Sequence, residues 1–214
     1  MKITIGVPIF YPYVHWRFWR SYEQLEKPEG TILQIIPGST IAVARNKLVN
    51  MAKGSDYLLF LDSDMTFPSD LIQRLLDHKK DVVCGLYYSR GYPHDPMTMR
   101  LWNKDEYYRS PPKGGLMEVD ATGGGCMLIN MKVIDKIDFP WFDFSAYMGT
   151  RKSFSEDVWF CRKLKAAGYK IYVDTDLECG HISDRVITGK DWRKPTVRTF
   201  EEFDKMREED GNGS

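Results

Sequence analysis

The run Tyr57-Leu58-Leu59-Phe60-Leu61 constrains this chain more than any other stretch. Five successive apolar side chains leave no face for water, so a strand built from them has to be covered on both sides, as inner strands of layered α/β sheets are. Ile3 to Ile9 and Ile32-Leu33-Gln34-Ile35-Ile36 read as further strands, the second ended by Pro37-Gly38. Ser39 or Thr40 can cap a helix that carries Ile41, Ala44, Leu48, Met51 and Ala52 at helical spacing and stops at Gly54. Ser69 is expected to open a second helix with Leu71, Ile72, Leu75 and Leu76 inward, and Val82-Val83-Cys84-Gly85-Leu86 returns to the sheet. Strands and helices in alternation make this an α/β chain.

Residues 87–118 are less regular, with Pro93, Pro96, Pro111 and Pro112 among aromatic and charged residues, and a long connection of this kind is usually functional. Leu116 to Val119 and Cys126 to Ile129 read as strands flanking Thr122-Gly123-Gly124-Gly125. A third helix begins at Ser155, carries Val158, Cys161, Leu164 and Ala167, and ends at Gly168 before a late strand, Tyr169 to Val173. Past Arg185 the chain turns polar. The expected division is one domain over residues 1–185 and a polar extension over 186–214, frayed at its end.

With 214 residues, 43% of them hydrophobic and 28% charged, the chain is long enough for one full core and too apolar to be disordered. Lys plus Arg and Asp plus Glu number 30 each, so no electrostatic footprint for nucleic acid is present. No apolar run approaches the ~20 residues of a bilayer span. Pro8 and Tyr11-Pro12-Tyr13 break up any signal-peptide core at the start, and a soluble cytoplasmic protein is expected. Cys84, Cys126, Cys161 and Cys179 are widely spaced among apolar residues and read as buried thiols rather than a disulfide or zinc framework.

Chemistry concentrates in a few places. Asp62-Ser63-Asp64 stands where the buried strand emerges, the end at which ligands of open α/β sheets bind, and two carboxylates at this spacing suit Mg²⁺ or Mn²⁺ shared with a substrate phosphate. The structural alternative is an Asp62 turn cap beside a solvated Asp64. Arg45 interrupts an apolar helix and has the chemistry of a phosphate clamp, unless it is an exposed helix arginine. Glu156 and Asp157 open the third helix, where the helix dipole already favours acidic residues by about 0.3–1 kcal/mol. The Gly123-Gly124-Gly125 run is no P-loop, since no Gly-Lys-Ser/Thr follows; a tight turn or bulge explains it equally well. Tyr11, Tyr13, Trp16, Phe18 and Trp19, with Arg17 and Arg20, could stack on sugars or meet a membrane, but read better as a helix packed over the sheet edge.

Taken together, the Pro-containing first strand, the Ala44-Arg45-Asn46 helix, the D-x-D at Asp62–Asp64, the Gly-rich strand, the Ser155-Glu156-Asp157 helix start and the late His181 resemble the GT-A-type glycosyltransferases. The likeness is to small family-2-like and mannosylglycerate synthase-like members and spans about residues 3–183. It implies a Rossmann-like α/β/α sandwich with a mostly parallel central sheet and a small antiparallel part near the Gly-rich strand. It also implies a nucleoside-diphosphate sugar donor (UDP- or GDP-linked), a hydroxyl acceptor, and Mn²⁺ or Mg²⁺ held by Asp62, Asp64 and His181. Carried over residue by residue, Pro8, Ile9, Phe10, Gly38, Ser39, Arg45, Asp62, Ser63 and Asp64 meet the nucleotide sugar, and Gly123, Gly124 and Gly125 floor the sugar and acceptor pocket. Asp157 is the general base, with Glu156 in support. Inversion and retention both remain open, as do nucleotidyl transfer and a non-catalytic nucleotide-sugar-binding module. Large acceptor-binding additions are lacking, so the acceptor is small or an oligomer holds it.

Overall fold

The structure, a computed structural model, describes residues 1–10, 13–103, 106–146, 153–183 and 186–192. Tyr11 of the aromatic cluster and most of the polar extension lie outside these residues.

The first half runs β1 (Ile3–Ile9), α1 (Trp16–Gln24), β2 (Ile32–Pro37), α2 (Ile41–Met51), β3 (Tyr57–Leu61), β4 (Met65–Thr66), α3 (Leu71–Asp77) and β5 (Val82–Leu86). The second half runs β6 (Thr98–Asn103), β7 (Glu106–Arg109), β8 (Leu116–Val119), β9 (Ala121–Thr122) and β10 (Cys126–Asn130). A 3₁₀ turn (Met131–Lys136), β11 (Ser145–Ala146), β12 (Ser153–Phe154), α4 (Glu156–Ala166), β13 (Ile171–Glu178), β14 (Gly180–Ile182) and β15 (Val186–Ile187) follow.

Seven strands form the central sheet in the order β2-β1-β3-β10-β5-β13-β8. Five of them point the same way, while β10 and β8 run against their neighbours. The expected mostly parallel sheet with an antiparallel part beside the Gly-rich segment is therefore present. β3 is covered on both faces as its composition demands. Leu58 and Phe60 join a core layer with Leu48, Phe142, Phe160 and Leu164, and Leu59 and Leu61 join the opposite layer with Phe18, Leu71 and Leu75. Helices α2 and α4 thus cover one face and α1 and α3 the other, at about 1.5–3 kcal/mol for each large side chain fully buried.

Some local expectations shift. Helix α3 starts at Leu71 rather than after Ser69, because the Ser69 carbonyl accepts from Glu26 N–H (2.9 Å) and holds that residue in a turn. Thr40 and Ser155 occupy the N-cap positions of α2 and α4 without making a side-chain cap bond. The late strand extends to Glu178, through an acidic stretch (Asp174, Asp176, Glu178) whose intervening Thr175 and Leu177 are buried. Packing also continues past residue 185. β15 pairs with β14, and Trp192 lies against Tyr88 with ring centroids 6.4 Å apart.

All four cysteines are buried and free. Helix α1 holds Trp16, Phe18 and Trp19; only Phe18 is buried, edge-on to Phe67, while Trp16 remains 60% exposed. Among the described residues no helix is long and apolar enough to cross a membrane.

Candidate active site

The acidic turn is fixed from two sides. Asp62 N–H donates to the Gly125 carbonyl (2.9 Å), and Met65 N–H donates back to the Asp62 carbonyl (3.0 Å), so the chain bends sharply at the carboxyl end of β3. β4 then pairs antiparallel with β14, which sets His181 opposite Met65, and Ile182 N–H donates to the Asp64 carbonyl (2.7 Å). As a result His181 Nε2 stands 3.5 Å from Asp64 Oδ2. The other ring nitrogen, Nδ1, is 2.9 Å from the Tyr88 carbonyl oxygen. A carbonyl only accepts, so Nδ1 carries the proton and Nε2 is the atom left facing the carboxylate. Arg90 Nη1 also reaches Asp64 Oδ2, at 3.2 Å. Burial alone would push the Asp64 carboxyl up, but His181 and Arg90 hold it below the ordinary carboxylate range.

Arg45 is the second anchor, and it is not where a diphosphate clamp would stand. Only 1% exposed, its guanidinium gives Nη2 to both oxygens of Asp62 (2.9 and 3.0 Å) and Nε to Glu156 Oε1 (3.2 Å). Nη1 points to the Gly124 carbonyl at 3.4 Å, and the ring of Phe60 lies under the group at 5.0 Å. Its neighbour Asn46 ties down a different segment, accepting from the backbone N–H groups of Trp141 and Phe142 at 3.1 Å. One guanidinium therefore serves two carboxylates. Burial pushes the Glu156 carboxyl up, Arg45 draws it down, and Asp157 and Asp62 push it up again; Asp62 is raised in the same way, by burial against the pull of Arg45. Asp62, expected to share a metal ion, is instead turned toward Arg45. Among the described residues no group of three or more metal-binding side chains is present. Asp64 and His181 offer one carboxylate and one imidazole nitrogen that could contribute to a divalent-ion site.

The glycine run makes room for neighbouring protein side chains. A Cβ on Gly124 would come within 2.7 Å of the Arg45 guanidinium, and one on Gly123 within 1.9 Å of Tyr87 Oη. Gly125 N–H donates to that same phenol oxygen at 3.2 Å. Burial, with the charges of Asp157 and Asp62, pushes the Tyr87 phenol well up, so it stays protonated. Its ring stands edge-on to His181, centroids 5.5 Å apart.

Asp157 lies in the first turn of α4, half-buried, and accepts from Ser155 Oγ and Val158 N–H. Its charge reaches Arg45, Asp62, Glu156 and Tyr87, so both acidic motifs open on one site. The expected nucleotide strand end divides. β1 and β2 do bring residues 8–10 beside 37–39, with Gly38 N–H donating to the Ile9 carbonyl (2.9 Å). Pro8 and Ile9, however, are core, and Phe10 is the one of the three that faces outward, 65% exposed. Ser39 and Ser63 are half-buried and Gly38 is exposed. Sequence reasoning missed Tyr87 and Arg90. For Tyr87 a signal existed, since it directly follows the apolar run 82–86 at the same sheet edge as Asp62.

The architecture is the GT-A glycosyltransferase fold, an α/β sandwich with acidic motifs at one end of a mixed sheet. Two solved structures share it, with TM-scores above 0.5. A197 from STIV matches with a TM-score of 0.61 at 21% identity, over 89% of this chain and 91% of that one. GalNAc-T7, crystallised with UDP, GalNAc and Mn²⁺, matches with a TM-score of 0.61 at 12% identity, over 93% of this chain and 45% of that one. S. aureus TarS 1-349, in complex with UDP-GlcNAc, gives 0.49 at 16% identity, over 82% and 56%. Residues 19–138 match the sequence profile of Glycosyl transferase family 2, and the chain belongs to that family of nucleotide-sugar-dependent glycosyltransferases. A comparison with curated protein sequences gives no match.

Proposed function

We propose that this protein transfers a sugar from a nucleoside-diphosphate sugar to an acceptor hydroxyl, with Asp157 as the base. The observation that carries the reading is Arg45 bound to Asp62 and Glu156 together, because it holds their chain neighbours Asp64 and Asp157 on the rim of one site. The acceptor oxygen attacks the anomeric carbon, the bond from that carbon to the diphosphate oxygen breaks, and the nucleoside diphosphate leaves with the bonding pair. The acceptor proton passes to the Asp157 carboxylate, a transfer worth ~10²–10⁴ in rate when the base is in hydrogen-bond reach. Asp64 and His181 would hold a divalent ion, Mn²⁺ more readily than Mg²⁺ given the imidazole, and a bound ion would supply charge neutralisation at the diphosphate. Arg45 cannot serve there, so the half-exposed Arg90 is the cation beside Asp64 that is free to move onto phosphate oxygens. UDP-sugars are the first donors to try, since GalNAc-T7 carries UDP on the shared fold.

Calorimetric titration of UDP and GDP, with Mn²⁺ and then with EDTA, tests the donor and metal assignments. Affinity that requires Mn²⁺ and falls in both Asp64→Ala and His181→Ala is expected. Affinity that is indifferent to EDTA and to both substitutions would show the metal site to be misplaced.

A further inference from the structure

Helix α1 turns two tryptophans outward. Phe18 is fully buried, edge-on to Phe67 with centroids 5.9 Å apart, and it seats the helix on the sheet. The opposite arc, at i, i+3, i+4 and i+7, holds Trp16, Trp19, Arg20 and Glu23. Trp16 is 60% exposed and Trp19 37%, and the chain ahead of the helix adds Tyr13 at 72% and Phe10 at 65%. Four of the twelve large apolar side chains exposed among the described residues thus fall within positions 10–19. Single exposed apolar residues need no explanation, but a concentration of this kind marks an interaction surface.

Charge and shape say what the ridge meets. Residues 10–22 include Arg17 and Arg20 and no Asp or Glu; the first acidic residue of the chain is Glu23, at the far end of the helix. The Arg17 guanidinium lies over the Trp16 ring at 5.5 Å, and Arg20 is exposed one turn on from Trp16. A neutral oligosaccharide stacked on these rings has no use for two cations, and ligand pockets are concave, whereas the outward arc of a helix is convex. A second copy of the chain would bring two arginines to the seam for each Glu23. Indole and phenol rings interleaved with arginines suit the headgroup layer of a bilayer, where the rings sit between water and hydrocarbon and the guanidinium groups meet lipid phosphates. The ridge also stands at the end of the molecule that carries the site. Phe10 follows the carboxyl end of β1, which runs parallel beside β3, and Phe67, on which Phe18 rests, follows β4.

We propose that α1 and the residues leading into it dock this protein on the surface of a bilayer that contains anionic lipid. The helix, nine residues long, lies in the headgroup layer and does not cross it. Trp16 and Trp19 supply the apolar area, and Arg17 and Arg20 the attraction to lipid phosphates, which salt screens. Docking of this kind needs neither donor, metal nor base, so its failure would leave the reading of the active site untouched.

The test is sedimentation of the full chain with vesicles of phosphatidylcholine alone and of phosphatidylcholine mixed with phosphatidylglycerol. Binding to the mixed vesicles is expected, weakened by added salt, with much less binding to the neutral ones. Trp16→Ala combined with Trp19→Ala should weaken it about tenfold or more, and Arg17→Gln and Arg20→Gln about fivefold each. Trp19 also packs edge-on to Phe18 and Tyr22, so the double variant can lose stability. Trp16→Ala and Arg20→Gln change side chains that already stand in water, should melt with wild type, and keep the test free of folding effects. No sedimentation with the mixed vesicles would overturn the proposal, as would binding that Trp16→Ala and Arg20→Gln leave unchanged. Equal binding to neutral and mixed vesicles would overturn it by removing the role of the arginines. A dimer in solution that Trp16→Ala dissociates, with no vesicle binding, would overturn it by making the ridge a subunit seam.

Discussion

The two ends of the central sheet differ in what they bury. At the amino end of β3, Lys53, Asp56, Tyr57, Asn130, Lys132 and Asp135 line an open cleft of about 580 Å³. Its charged side chains all stand in water. At the carboxyl end of β3 the charges are packed inside: Arg45 and Glu156 are fully buried, Asp62 and Asp64 partly so, and each ionised group leans on another. Concavity by itself therefore misleads in this molecule. Solvated charges cost nothing to keep, whereas buried, mutually perturbed ones persist only with a compensating use, and functional sites are where they cluster.

The comparison breaks most directly at Asp157. Asp157→Asn should fold and bind the donor as wild type does, while turnover falls by ~10²–10⁴, read as kcat for nucleoside diphosphate release with little change in donor KM. Full turnover in that variant would remove the base from this end of the sheet. Next comes Arg45→Ala, which strands Asp62 and Glu156 without their cation. A loss of about 3–5 kcal/mol in chemical denaturation is expected, the usual cost of removing one partner of a buried pair. A smaller loss, ~1–3 kcal/mol, is expected for Gly123→Ala, since its methyl would meet Tyr87 Oη and Met97 and force both to move. Lys132→Ala, in the open cleft at the amino end of β3, sharpens the contrast from the other side: stability should stay within ~0.5 kcal/mol and turnover should not change. A marked fall in kcat there would mean that the cleft takes part after all.

Sequence pattern carried further for elements than for contacts. The apolar run 57–61, the helix spacing in 41–52 and the acidic start of α4 are local signals, and the elements stand where those signals put them, within a residue or two. Asp62 and Asp64 could be placed at the sheet edge because a strand that must be covered on both faces has to expose its first polar residues where it ends. Arg45 marks the limit. Its break in the apolar spacing was visible, yet the same break fits an arginine turned to solvent and one turned into a charge network.

The sequence by itself determined that this chain is a layered α/β protein with two acidic motifs at strand and helix ends, because hydrophobic periodicity and caps act between residues a few positions apart. Only the tertiary structure decided that β10 runs antiparallel between β3 and β5, that Arg45 faces Glu156, that the three glycines yield space to Arg45 and Tyr87, and that His181 meets Asp64. Each of these joins segments far apart in the chain. Their distances follow from how the sheet orders its strands and how α2 and α4 pack on it, and no local spacing encodes that.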